Sequence, residues 1–113
     1  MATREQERAQ MAYSKVSPRA NGADEADYMR FAKSFPALIQ SCGLAQALAF
    51  AQAKKHESYL NDLATVMKVG NSADLASRAR DSALSEYQRY SREALAAATW
   101  LKRYAEALLK GDD

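Results

Sequence analysis

The chain has 113 residues, 48% of them apolar with Ala dominant, 27% charged, and only four Gly and two Pro, which suits one helical domain over 1–113 better than broad sheet faces. No run approaches the roughly 18 to 20 apolar residues of a membrane helix, and Met1-Ala2-Thr3-Arg4-Glu5 lacks the apolar run of a signal peptide, so a cytoplasmic protein is expected. Cys42 is the sole cysteine, which excludes an internal disulfide and fits a reducing compartment.

Thr3 followed by Gln6 forms a capping-box start, and Ala9, Ala12, Tyr13 and Val16 continue at helical spacing, predicting a first helix from Thr3 to Ser17. Pro18-Arg19-Ala20-Asn21-Gly22 ends it. A second helix starts at Asp24, with Asp24, Glu25 and Asp27 at its positive dipole end and Tyr28, Phe31, Ala32 and Phe35 on its apolar side. Pro36 should kink or restart this helix, and Gly43 stands where a left-handed C-terminal cap is wanted. Leu44, Ala47, Leu48 and Ala51 seed another helix. A further one is predicted from Ser58 to Val69, ended by Gly70-Asn71, then a short piece from Ser72 to Arg80. The last runs from Ser82 to Lys110 and is closed by Gly111. With no strand pattern anywhere, the expected fold is all-α, a compact bundle of five to six helices with a long C-terminal helix.

At 100° per residue, the last helix gathers Tyr87, Ala94, Ala98, Leu101, Ala105 and Leu108 into a core seam. Nearly opposite lie Arg89, Arg92, Arg103 and Lys110, with Ala96 and Thr99 between them. Guanidinium groups beside small side chains suit a phosphate backbone, because Arg pairs with it bidentately and Ala or Thr does not block approach; the competing reading is an ordinary solvated face. Trp100 projects to the edge of the basic side beside Tyr104. It can cap the core laterally, anchor a protein interface or stack on a base. The net charge of +2 is small, but its distribution is uneven: from Tyr28 to His56 there is no acid, while Arg30, Lys33, Lys54 and Lys55 lie there.

Residues for catalysis are few. His56 is the only histidine and sits at an apparent helix boundary, where it reads as a solvated surface residue. One Cys and one His cannot build a zinc site of the usual kind within one chain, and no phosphate-binding glycine loop occurs. The acid pairs Asp24-Glu25 and Asp112-Asp113 lie at a helix end and in the tail, where dipole and solubility roles suffice. Cys42 reads as a small apolar residue. No catalytic residue, metal or cofactor is expected.

Two segments carry a family resemblance. Phe35-Pro36-Ala37-Leu38-Ile39-Gln40-Ser41-Cys42-Gly43-Leu44, followed by Ala47-Leu48-Ala49-Phe50, resembles the central signature of the small subunit of type III-B (Cmr-type) CRISPR effector complexes. Tyr87, Ser91-Arg92-Glu93-Ala94-Leu95 and Trp100-Leu101-Lys102-Arg103-Tyr104-Ala105 are similar to its C-terminal signature, in the expected order. The family often has Asn in place of Cys42 and Thr in place of Ser91. The resemblance extends over nearly the whole chain. It implies a non-catalytic helical bundle that stacks in copies within an RNA-guided, RNA-targeting ribonucleoprotein, beside other Cmr-type subunits and against guide and target RNA, with no membrane and no small-molecule substrate. The sister subunit of type III-A complexes is the close variant.

On that footing Lys33, Lys54, Lys55, Arg89, Arg92 and Arg103 are the expected RNA contacts, made to phosphates without sequence readout, and together they form one continuous positive surface. Trp100, Tyr104, Phe35 and Phe50 are the expected protein-interface residues; an adaptor that uses only these, its basic residues merely solubilising, is the second reading. A stand-alone helical nuclease is disfavoured because no acidic pattern at ligand spacing is visible.

Overall fold

The computed structural model describes residues 3–111; Met1, Ala2 and the tail acids Asp112 and Asp113 lie outside the described residues. Six α-helices occupy the described chain: α1 (Arg4–Val16), α2 (Glu25–Cys42), α3 (Leu44–Ala53), α4 (Glu57–Met67), α5 (Ser72–Asp81) and α6 (Leu84–Leu108), with a single 3-10 turn at Ser17–Arg19. The all-α expectation holds, long last helix included.

The overall extents are 40 × 39 × 22 Å. A helix with its side chains is about 10–12 Å across, so the short dimension accommodates two layers. One layer sets α6 between α1 and α2; the other is built from α3, α4 and α5, and α4 packs up against α1 and α6. Side-chain pairs fix the directions. Arg4 and Arg8 of α1 meet Glu93, and Tyr13 meets Tyr104, so α1 runs parallel to α6. Glu25 receives the Lys110 backbone N–H while Tyr87 reaches Ala45, so α2 runs antiparallel to it.

The local chemistry explains most boundaries. Thr3 and Gln6 form the capping box that opens α1. A second box, Asn71 with Asp74, opens α5. α2 continues through Pro36 as one helix, so the chain does not restart there. The ring removes the N–H that Ala32 would accept, yet Phe35, Pro36 and Ile39 are all buried on the same side, and their packing outweighs one lost hydrogen bond.

Gly43 alone separates α2 from α3. Its N–H donates to Ile39 O at 2.9 Å and its carbonyl accepts from Ala47 at 3.0 Å, so one residue ends one helix and starts the next. Its φ of 86° is positive as expected, but ψ is 161°, extended rather than left-handed helical, a region open essentially to glycine alone. α3 lacks a side-chain cap of its own, and the Tyr87 hydroxyl, 3.0 Å away, accepts the Ala45 N–H in its place. Two ends differ from expectation. α4 stops at Met67 on a left-handed Lys68 before it reaches Gly70-Asn71, and α6 stops at Leu108 with Leu109 extended, so Gly111 does not cap it.

The core seam of α6 consists of Tyr90, Ala94, Ala97, Ala98, Leu101 and Ala105, with Tyr87 and Leu108 only half-buried at its margins. The alanines let neighbouring helices approach closely. Between the layers, the rings of Tyr28, Phe31, Phe35 and Tyr59 stand 5.1–5.7 Å apart in tilted and edge contacts. Above them Asp62 Oδ2 accepts from Arg19 Nη2 and from the Tyr28 hydroxyl, each at 2.7 Å, and the Arg19 guanidinium lies 3.9 Å over the Tyr28 ring.

Candidate functional site

The outward face of α6 forms an open groove of about 490 Å³. Ala96 and Thr99 lie midway along it with Leu95 and Trp100, Arg92 and Arg103 stand toward its two ends, and Glu5 of α1, paired with Arg8, is the one carboxylate that lines it. Eleven residues separate the arginines, which is about 16 Å along a helix. Thr99 donates its hydroxyl to Leu95 O at 2.7 Å, within its own helix. Arg103 touches Glu106 at 4.0 Å and Arg89 touches Glu86 at 3.6 Å, exposed pairs that an incoming anion can displace at little cost. Lys110 leaves this stripe because α6 ends before it.

Trp100 is half-buried and stacks on Tyr104 with centroids 5.8 Å apart, and Tyr104 meets Tyr13 edge-on at 5.5 Å. These three rings form a row along the α1–α6 seam. Tyr13, one of the residues that continue α1 at helical spacing, is 50% exposed. Its membership of the row depends on the parallel register of α1 and α6, which no local pattern reveals.

The other basic residues lie elsewhere. Lys54 and Lys55 sit at the α3–α4 turn in a cleft of about 210 Å³ that Asp24 and Asp27 also line. The stretch free of acids in sequence is therefore not free of them in space: the acidic first turn of α2 folds back against it. The positive surface is interrupted there, not continuous as expected from the sequence. Lys33 is exposed on α2 and lines neither this cleft nor the α6 groove.

Beside the turn, Phe50, Lys54, Phe31, His56, Arg30 and Asp27 surround a second open cleft of about 390 Å³. His56 is not a freely solvated histidine; its ring stacks on Phe31 at 3.7 Å and 17°. Burial against that ring lowers its pKa from the ordinary value, with Asp27 pulling the other way. Phe50 is 46% exposed. Phe35, expected at an interface, is wholly buried among Phe31 and Tyr59, because its position on α2 faces the second layer; it has no surface to offer a partner.

For chemistry the described residues offer little convergence. Among them no three His, Cys, Asp or Glu side chains gather as metal ligands. Cys42 Sγ donates to Leu38 O at 3.2 Å, within its own helix. Burial and the Asp62 charge raise the pKa of both the Tyr28 and Tyr59 hydroxyls, so neither is poised to lose a proton near neutrality. Among the described residues no helix is long and apolar enough to cross a membrane.

Residues 4–108 match the family described as CRISPR-associated protein (Cas_Cmr5). The chain is 42% identical to the CRISPR system Cmr subunit Cmr5 of Thermus thermophilus, over 97% of this chain and 99% of that protein. It also superimposes, with a TM-score of 0.92 and 42% identity, on the crystal structure of a CRISPR-associated Cmr5 family protein from Thermus thermophilus, covering 97% of this chain and all of that one. A match over nearly the full length in family profile, sequence and fold makes this chain a member of the Cmr5 family of CRISPR-associated proteins.

Proposed function

We propose that the chain is a non-catalytic small subunit of a type III-B, RNA-guided, RNA-targeting CRISPR effector complex in the cytoplasm. Stacked copies bind other Cmr-type subunits and help to hold guide and target RNA. The observation that carries this reading is the α6 groove, where two arginines about 16 Å apart flank a floor of small side chains. A backbone strand laid along that floor meets a guanidinium at each end, with Leu95 and Trp100 beside it and Glu5, already paired with Arg8, as the one acid in the groove. Arg89, three residues before Arg92 on α6, lies outside the groove, paired with Glu86 and over the Tyr90 ring. Lys33, Lys54 and Lys55 add cations beyond the groove, the last two next to acids.

A single copy with net charge +2 binds weakly by this route. Copies repeated along one strand add their contacts, so modest affinity per copy suffices. The test is the reconstituted effector complex with Arg92→Ala and Arg103→Ala together. Target-RNA affinity is expected to fall, and the slope of log affinity against log salt to shrink by about 2, one per lost phosphate contact. Unchanged affinity and slope would remove the groove from RNA binding.

The aromatic row supports a second reading, an adaptor that works through protein contacts alone. Tyr13, Tyr104 and Trp100 form a partly exposed aromatic strip beside the groove, the composition of an interface anchor. If Trp100→Ala prevents incorporation of the subunit while the arginine pair has no effect on RNA, the adaptor reading stands instead.

A further inference from the structure

We propose that the cleft between α2 and α3 takes one unpaired nucleotide of single-stranded RNA, its base against the Phe50 ring and its phosphate beside Lys54. This rests on the reading of the chain as an RNA-contacting subunit and adds a base contact where that reading has backbone contact only.

The protein has three phenylalanines, and two of them, Phe31 and Phe35, are 7% and 0% exposed. Phe50 is 46% exposed and gives up the burial that the others gain. It stands in the wall of a cleft of about 390 Å³, within the roughly 300–1,000 Å³ typical of small-ligand sites. The cleft already holds one stacked pair, His56 on Phe31, so flat rings define its shape.

Charge decides between a nucleotide and a protein side chain as occupant. Lys54 Nζ lies 5.9 Å from the Phe50 centroid, at the outer limit of a cation–π contact, so its long stem is free to turn the ammonium to a phosphate. Arg30 stands on the opposite wall and pairs with Asp27, the one carboxylate among the lining residues. The result is an aromatic plane rimmed with cations, the combination that binds single strands by stacking and charge together. A docking helix would want several apolar anchors, and among the lining residues Phe50 is the one large exposed apolar side chain. In its neutral form, which burial favours, the His56 imidazole carries one ring N–H and one ring lone pair, a donor and an acceptor for a base edge.

The test uses the assembled effector complex with target and guide RNAs carrying 5-iodouridine at successive positions, irradiated and mapped by peptide mass spectrometry. The expected adduct is on Phe50, absent in Phe50→Leu and retained in Phe50→Tyr, with RNA affinity falling about tenfold in the Leu variant only. Two results overturn the proposal: adducts that map to Trp100 or to other subunits while Phe50→Leu leaves RNA affinity unchanged, or a Phe50→Leu variant that fails to join the complex, which would make the cleft a protein contact. Failure of the broader reading looks different: no adduct anywhere on this chain, and no change in RNA affinity for the Arg92 and Arg103 variant.

Discussion

Arg19 and Arg92 are the same residue put to opposite uses. Arg19 is held in the seam between the 3-10 turn and α4 by Asp62 at 2.7 Å, with the Tyr28 ring beneath it and Ser58 and Asp24 also in reach. Arg92 stands on the outer face of α6 over alanine and threonine. A cation whose donors are already matched by a buried carboxylate serves the fold and is lost to any ligand. A cation over small, half-exposed side chains costs the fold nothing and stays available. Composition weighs the two equally, which is why total charge says so little here.

The largest expected effect sharpens this contrast. Asp62→Ala leaves the partly buried Arg19 guanidinium and the Tyr28 hydroxyl without their shared acceptor and should cost about 3 kcal/mol of unfolding free energy. Arg92→Ala, measured by the same urea titration, should stay within about 0.5 kcal/mol of the parent. Equal losses at the two positions would break the distinction between a structural cation and an available one.

An intermediate effect concerns Tyr87, which helical phase places in the α6 core seam. Its hydroxyl accepts the Ala45 N–H at 3.0 Å, a cap on α3 supplied by another helix. Tyr87→Phe keeps the ring and removes the cap, so a loss of about 1 kcal/mol is expected, the usual cost of an N-cap. A variant as stable as the parent would show that the ring alone matters, as the core-seam reading has it.

These cases mark where sequence reasoning reaches and where it stops. Local signals were legible: the Thr3–Gln6 box, the break at Pro18, the Ala-rich inner face of α6 and the arginines opposite it depend only on residues near in sequence. Phe35 sits on the apolar side of α2 as its spacing has it, and that same burial removes it from any interface; how far Tyr13 on α1 is covered depends on how its neighbours lie. The acid-free stretch from Tyr28 to His56 misled for the same reason. Asp24 and Asp27 lie just outside it in sequence and against its far end in space. The two arginine classes were indistinguishable in sequence, since Asp62 is 43 residues from Arg19.

The smallest effect belongs to His56, and it tests whether the α2–α3 cleft is a packed feature or a loose surface. Burial against Phe31 lowers the imidazole pKa from the ordinary 6.5, while Asp27 raises it; Arg30 on α2 and Lys54 and Lys55 on the preceding turn are the other charges nearby. An unfolded chain therefore takes up this proton at a higher pH than the folded one. The sign follows: the contribution is fully present above about pH 6.5 and is lost as pH falls below it toward the folded value. The urea midpoint should decline as pH is lowered from about 7.5 to about 5.5, and decline less in His56→Gln, which cannot be protonated there. The difference between the two curves isolates His56 together with its interaction with Asp27. Parallel curves would mean that the ring is as well hydrated in the folded protein as in the unfolded chain, and that the Phe31 stack opens readily in water.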